Sequence, residues 1–292
     1  MLSDCRGYNQ PMNTTHLESV LRWEDGCVTR RPDDLAAEEP LEIRVRGRAI
    51  SVTMRTPGHD QELAAGFLLT EGVIRGPGDI LRMEPCGRNE EGNLLNVLLA
   101  PEVPVDFTKL TRHVFASSSC GLCGKASIEA VRGQFPPVET DDSVCIDAET
   151  IAAMPQAMRC TQEAFDLTGG LHAAALFDST GKMLVLREDV GRHNAVDKVL
   201  GHALLNGLHP PSRLVLLVSG RSSFEIMQKA LAARVPVVAA VSAPSGLAAH
   251  FAEESGQTLI GFLRGRRMNV YAHPGRIRFG AGCKPSAGAE SL

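Results

Sequence analysis

A 292-residue chain that is 43% hydrophobic can bury one large core or two modest ones, and its formal charge of -4 gives no global reason to expect a nucleic acid or an anionic membrane as partner. No run of 18 apolar residues occurs, and the first ten residues lack the apolar core of a signal peptide, so a cytoplasmic protein without a membrane span is expected. In that compartment eight irregularly spaced cysteines read as reduced thiols, not as a disulfide framework.

Polar and small residues before about His16 and after about Gly280 read as tails. Between them, residues 17–112 predict a small α+β N-terminal domain. It opens with two alternating runs, residues 41–46 and 48–55, that read as a β-hairpin turning at Gly47. Asp60 is placed to cap a helix whose Leu63, Ala64, Phe67 and Leu68 recur one turn apart, and Gly72 is placed to stop it. The run Leu94-Leu95-Asn96-Val97-Leu98-Leu99 reads as a further strand.

Residues 113–144 then form a linker. Within it, Ser117-Ser118-Ser119-Cys120-Gly121-Leu122-Cys123-Gly124-Lys125 sets two thiols three positions apart among small residues that carry little apolar surface to anchor a loop, which predicts a mobile arm. A helix beginning near Lys125 would put the thiols at the positive end of its dipole and draw a cysteine below its free pKa of about 8.5. That points to a nucleophilic or sulfur-carrying cysteine. A structural zinc site, a thioredoxin-like redox pair and two unrelated loop thiols compete for the same spacing. Cys5, Cys27, Cys86, Cys145, Cys160 and Cys283 form no second C-x-x-C, and no histidine lies at finger spacing, so zinc would need distant ligands.

Residues 145–280 alternate strands and helices, which predicts an α/β layer structure. Residues 148–165 read as helix broken before Pro155, and 172–178 pair with 183–187 as a hairpin. Ala195, Val196, Val199, Leu200, Ala203 and Leu204 mark a helix that Gly207 ends. Runs at 214–218, 235–241 and 259–263 read as buried strands separated by helices at 224–234 and 247–254, and two such crossovers imply parallel strands.

Ligands of open α/β sheets gather beyond the carboxyl ends of the strands. There the chain places Ser219-Gly220-Arg221-Ser222-Ser223, then Ser242-Ala243-Pro244-Ser245-Gly246, then Phe262-Leu263-Arg264-Gly265-Arg266-Arg267. Free N–H groups, hydroxyls and guanidinium groups in three adjacent turns suit phosphate or a nucleotide, although each alone could be an ordinary cap or a solvated face. Glu188-Asp189-Val190-Gly191-Arg192-His193-Asn194-Ala195-Val196-Asp197-Lys198 packs charge around a strand-to-helix turn. His193 could move a proton or hold a ligand there, while Asn194 or Asp189 as a cap and His193–Asp197 as a surface pair is the plainer reading. His59 with Glu62, and His172, are weaker candidates.

The segments Glu39-Pro40-Leu41-Glu42, Arg55-Thr56-Pro57-Gly58-His59-Asp60, Ala65-Gly66-Phe67-Leu68-Leu69-Thr70-Glu71-Gly72 and Ser118-Ser119-Cys120-Gly121-Leu122-Cys123-Gly124 resemble the formate dehydrogenase accessory sulfurtransferases, the FdhD family. So do Thr168-Gly169-Gly170-Leu171-His172-Ala173, the 188–198 run, residues 218–225 and residues 262–271. The resemblance implies a cytidine deaminase-like three-layer α/β domain after the small N-terminal one, usually in a homodimer. It implies that sulfane sulfur from a cysteine desulfurase is held as a persulfide on Cys120, with Cys123 assisting. The sulfur would pass to the molybdenum or tungsten bis(molybdopterin guanine dinucleotide) cofactor, a bound substrate, before its insertion into formate dehydrogenase. Residues 262–267 would form part of the cofactor site, in accord with the phosphate reading. Two other functions stay in view. Zinc deaminases share that architecture, but they need H-x-E and a Pro before the Cys pair, whereas here the H-x-E is His16-Leu17-Glu18 and Ser119 precedes Cys120. A non-catalytic cofactor chaperone would not need the Cys pair.

Overall fold

The computed structural model describes residues 14–85, 92–107, 134–139 and 144–280. The chain opens with a hairpin of β1 (Thr15–Glu24) and β2 (Cys27–Ala36), paired only with each other among the described strands. The expected second hairpin follows as β3 (Glu39–Val45) and β4 (Arg48–Arg55), turning through Arg46 and Gly47, both at positive φ. With β5 (Ile80–Pro85) and β6 (Leu94–Leu99) these make a four-stranded sheet of order β4-β3-β6-β5.

Helix α1 (Asp60–Thr70) starts where expected but not by the expected cap. The Asp60 carboxylate instead accepts two bonds from Arg55 at 2.9 and 3.0 Å, and His59, in the left-handed region, takes the N-cap position. Gly72, at φ 69, follows its last turn as expected.

In the second region β7 (Ile146–Asp147) leads into α2 (Ala148–Arg159) and α3 (Glu163–Thr168). The break lies after Arg159 and not before Pro155. Pro155 removes one backbone donor, yet Ile151, Met154 and Met158 bury against the sheet and hold the helix through it. Then come β8 (His172–Phe177), β9 (Met183–Asp189), α4 (Arg192–Leu205), β10 (Val215–Val218), α5 (Phe224–Ala232), β11 (Val237–Ala240), α6 (Gly246–Ser255), β12 (Thr258–Arg264), β13 (Arg267–Ala272) and β14 (Ile277–Arg278). Strands β8 to β13 form a mixed sheet of order β13-β12-β11-β10-β8-β9, and the β10–β11 and β11–β12 pairs are parallel, as the crossovers require. Period-two alternation splits its residues between two cores. Ala173, Ala175, Val215, Leu217 and Ile260 face α2, while Ala174, Leu176, Leu216, Val218 and Val238 face the other core, shared with α4, α5 and α6.

That second core does not stop at the domain boundary drawn from sequence. It includes Leu41, Ile43, Val45, Leu95 and Val97 of the four-stranded sheet, joined through α1, which packs directly on α4. The two helices touch backbone to backbone: a Cβ on Gly66 would lie 1.8 Å from the Asp197 carbonyl oxygen, and one on Gly201 would lie 1.8 Å from that of Glu62. Only glycine permits the approach. Among the described residues no helix is long and apolar enough to cross a membrane.

Gly201→Ala should therefore destabilise the fold by at least about 3 kcal/mol in urea unfolding, because its methyl meets main chain that neither helix can withdraw without opening the core. Gly47→Ala has nothing within 4 Å of the added carbon and should cost only the left-handed conformation, about 1–2 kcal/mol. Equal losses at the two positions would contradict this account of the crossing.

Candidate functional site

The three turns proposed from sequence lie side by side at one edge of the six-stranded sheet. The Val241 N–H donates to the Val218 carbonyl at 3.0 Å, Ser245 N–H to the Ser222 carbonyl at 2.9 Å, and Phe262 N–H to the Ser242 carbonyl at 3.0 Å. Arg264 Nε reaches the Val241 carbonyl at 2.9 Å, which ties the β12–β13 turn to the turn after β11. Antiparallel β8 begins at the same edge, so His172 joins the cluster: Ser219 N–H donates to the Ala173 carbonyl, and Ala173 N–H returns a bond to Ser219 Oγ, both at 2.9 Å.

The predicted binding residues differ in what they can offer. Arg221, Arg264, Gly265, Arg266 and Arg267 are exposed, and Ser219, Gly220 and His193 are half-buried. Leu263 is fully buried beneath α2 and can present only its backbone. Phe262 sits at φ 51, within a register shift between Gly261 and Arg264, and turns part of its ring outward. A bulky residue in the left-handed region costs about 1–3 kcal/mol, a strain that such edges store where a side chain is re-aimed. Arg266 reaches Glu149 at the start of α2 at 2.7 Å, between two well-exposed side chains.

Around Gly220 the edge is crowded with nitrogen. A Cβ there would come 3.4 Å from His172 Nδ1 and 3.8 Å from Arg192 Cβ. Burial first, then the neighbouring Arg192 and Arg221, holds the His172 imidazole below its ordinary pKa against the pull of Asp189. Burial, with Lys229, Arg192 and His172 adding to it, pushes His193 down to about 3. Both rings are thus neutral at physiological pH. His193 Nε2 lies 3.3 Å from Ser223 Oγ and 3.4 Å from Glu225 Oε2. Ser222 Oγ and Arg192 Nε are buried polar atoms without a hydrogen-bond partner among the described residues, and both belong to this edge.

The charged 188–198 run divides between the edge and the core. Asp189, fully buried, accepts from Thr56 N–H at 3.2 Å and Gly191 N–H at 2.8 Å and pairs with Lys198 at 2.7 Å. Lys198 Nζ also donates to the Thr56 carbonyl, and Asn194 Nδ2 to that of Met54. These groups fasten the β4–α1 connection to the second region. The expected His193–Asp197 surface pair is corrected: Asp197 is buried and bonds Lys229 at 2.8 Å and Thr70 Oγ1 at 2.9 Å. Burial opposes the Lys229 charge, but Asp197 and Glu71 outweigh it and hold the ammonium above its ordinary pKa. Glu62, paired with His59 from sequence, lies 3.4 Å from it but bonds Arg187 through both oxygens at 2.5 and 2.8 Å and His202 at 2.9 Å. Sequence reasoning had His172 as a weaker candidate and Arg192 within the charged 188–198 run, but placed neither at this edge.

Cys120 and Cys123 lie outside the described residues. The segment that carries them resumes at Gln134, whose Nε2 donates to the Glu71 carbonyl at 3.0 Å at the end of α1. Thr70, next to Glu71, bonds Asp197, one helical turn along α4 from His193. The anchored end of the cysteine segment is therefore at the same end of α4 as the nitrogen-rich edge. Among the described residues no group of three or more His, Cys, Asp or Glu is arranged to hold a metal ion.

The FdhD/NarQ family model matches residues 36–278. The sulfur carrier protein FdhD of Streptomyces avermitilis is 52% identical over 269 residues, covering 90% of this chain and 95% of its own. The protein of the same name from Mycobacterium tuberculosis is 53% identical over 260 residues, covering 86% and 94%. A crystal structure from Desulfotalea psychrophila, described as that of a formate dehydrogenase accessory protein, matches with a TM-score of 0.73 at 25% identity, over 91% of this chain and 100% of that one.

The low pKa of His193 has a stability consequence of definite sign. Between about pH 6.5 and 3 the unfolded chain takes up a proton at this position that the folded chain refuses, so stability falls with falling pH by up to about 1.4 kcal/mol per unit. His193→Gln should flatten that slope between pH 6.5 and 5. Ring NMR signals of His193 that titrate near 6.5 in the folded protein would contradict the burial argument.

Proposed function

The chain belongs to the FdhD/NarQ family, and from that premise we propose that it is a sulfur carrier in formate dehydrogenase maturation, a sulfurtransferase that takes sulfane sulfur on Cys120 and passes it to a bound molybdenum or tungsten bis(molybdopterin guanine dinucleotide). The observation that carries this reading is the C-x-x-C of Cys120 and Cys123 in a chain half identical to proteins named as sulfur carriers. In the first step the Cys120 thiolate attacks the outer sulfur of a cysteine desulfurase persulfide. The new S–S bond forms on Cys120, the old one breaks, and the desulfurase cysteine leaves as thiolate. In the second step the S–S bond on Cys120 breaks, Cys120 departs as thiolate, and the outer sulfur passes at the sulfane level to the metal centre of the substrate, whose reduced metal would supply the two electrons that make it a sulfido ligand; a low thiol pKa favours both steps. Cys123 assists or protects; its attack on the inner sulfur would instead release sulfide and leave a disulfide.

The edge chemistry supports the substrate assignment. A nucleotide-bearing cofactor needs donors for phosphate, which the Ser219–Ser223 turn, the N-terminus of α5 and Arg221, Arg264 and Arg267 supply. His193 and His172, neutral, can donate or accept one hydrogen bond each without adding charge. Cys123 precedes Gln134 by eleven residues, so its reach from that anchor is at most about 40 Å. The layering of α2, the sheet and α4–α6 supports a cytidine deaminase-like reading of residues 145–280. The chain is further proposed to act as a homodimer in the cytoplasm.

Two variants separate cofactor binding from sulfur handling. Replacing Arg264 and Arg266 together with Ala should weaken GDP binding by at least tenfold in calorimetry, since a charge-assisted bond to phosphate is worth about 1.5–3 kcal/mol; an unchanged affinity removes that turn from the site. Cys120→Ser should fold, bind GDP as the parent does, take no labelled sulfur from a cysteine desulfurase and fail to activate formate dehydrogenase, with Cys123→Ser less impaired in sulfur uptake. Activation by Cys120→Ser would make the protein a cofactor chaperone.

A further inference from the structure

The turn between β12 and β13 carries a carboxylate that phosphate binding does not explain. Arg264 pairs with Arg267 at its base, and Gly265 and Arg266 form its tip. Gly265 stands at φ 56 with nothing within 4 Å of the place a Cβ would take, so the tip is open to a ligand. Arg264 turns to the Val241 carbonyl of the neighbouring strand end, whereas Arg266 reaches Glu149 in the first turn of α2 at 2.7 Å. The two side chains are 83% and 74% exposed, and an ion pair that open to water contributes little to stability. A negative charge on the rim of a phosphate site also opposes the phosphate. Glu149 therefore neither holds the fold together nor helps to bind an anion.

A purine base gives the carboxylate something to do. Guanine presents two donors side by side, N1–H and the N2 amino group, whereas adenine presents an acceptor at N1. A carboxylate is an acceptor only, with about four lone-pair sites on its two oxygens. Among the described residues Arg266 is the one partner of Glu149 and occupies one site on Oε1, which leaves both oxygens able to accept again. The other carboxylates nearby are engaged. Asp147 holds Arg278 through both oxygens at 2.6 and 3.0 Å, and Glu188 accepts the Ala164 and Phe165 N–H groups. Asp189 and Asp197 are buried in ion pairs, and Glu225 faces His193 at 3.4 Å.

We propose that Glu149 reads the base of the bound nucleotide, accepting guanine N1–H on one oxygen and the N2 amino group on the other. Arg266 orients the carboxylate, and Arg264 and Arg267 are left to the phosphates of the same nucleotide. This inference rests on the guanine nucleotide reading given above and adds to it the residue that selects the base. A site built to accept two donors rejects a base that lacks one of them, because the unmatched group loses water without gaining a partner.

Calorimetry on the full chain with GDP, inosine diphosphate and xanthosine diphosphate tests it. Inosine lacks the N2 amino group, and xanthine carries an oxygen in its place. The parent should bind GDP at least about tenfold more tightly than either, the value of one charge-assisted hydrogen bond. Glu149→Gln offers one acceptor and one donor, the pattern that xanthine matches. It should lose at least about tenfold for GDP and gain at least about tenfold for xanthosine diphosphate, and that gain also shows that the variant folds. A Glu149 that merely pairs with Arg266 gives the opposite sign, since the substitution then frees a cation beside the phosphates. GDP bound as well or better by Glu149→Gln, or a parent that binds all three nucleotides alike, overturns the assignment of Glu149 and leaves the phosphate site standing. A parent that binds no GDP overturns the nucleotide reading and this inference with it.

Discussion

Helices α1 and α4 cross with main chain against main chain at Gly66 and Gly201, and the rest of the structure depends on that contact. It brings the four-stranded sheet and the six-stranded sheet onto one apolar core. It also encloses charges that could not otherwise be buried. Asp197 with Lys229 and Thr70, and Asp189 with Lys198 and the Thr56 main chain, lie where the two regions meet. Buried ion pairs add little net stability compared with apolar residues of the same volume, but removing one partner costs about 3–5 kcal/mol because the other charge stays buried. Such pairs tolerate one docking geometry and penalise others, which is how a small first region is held in a fixed place on a larger second one.

That fixed geometry is what the functional edge uses. Asp189 holds the backbone of Gly191, which sets the start of α4 and so the positions of Arg192 and His193. One turn further on, Asp197 links α4 to α5 through Lys229, which sets Ser223 and Glu225 opposite His193. The conformation of the edge is thus determined from the core side, while its exposed side offers arginines, backbone donors and two neutral imidazoles. A preorganised donor set lowers the ordering cost of binding a large, phosphate-rich ligand.

What was legible in the sequence was local. The Gly47 turn, the end of α1 at Gly72 and the parallel crossovers through β10, β11 and β12 each announce themselves within a few residues, through positive φ or dense apolar runs. The β1–β2 ribbon was not legible, because both its faces meet water and its alternation is interrupted by Ser19 and Val20 in β1 and by Arg30-Arg31 and Asp33-Asp34 in β2; a strand with no fully buried residue leaves no burial pattern to read. The role of Asp197 was misread for a different reason. Its spacing from His193 suits a surface pair, and its true partner is 32 positions away on another helix. The phosphate-suited turns were found by topology, since strand ends converge whatever the side chains do, but the same reasoning could not tell that Leu263 points into the core or that Arg192 and His172 complete the cluster. The cysteine motif was the plainest signal in the sequence, and Cys120 and Cys123 lie outside the described residues.

The account as a whole rests on sulfur residing on one particular thiol. Cys27, Cys145 and Cys160 are exposed free cysteines and provide an internal comparison, since exposure alone does not make a thiol a carrier. The most direct measurement is peptide mapping by mass spectrometry after incubation with a cysteine desulfurase and cysteine, performed on the parent and on Cys123→Ser. The account predicts one reducible added sulfur atom on the peptide that contains Cys120 in both proteins and none on the peptides with Cys27, Cys145 or Cys160. Sulfur spread evenly over the exposed cysteines, or absent from Cys120, would contradict it.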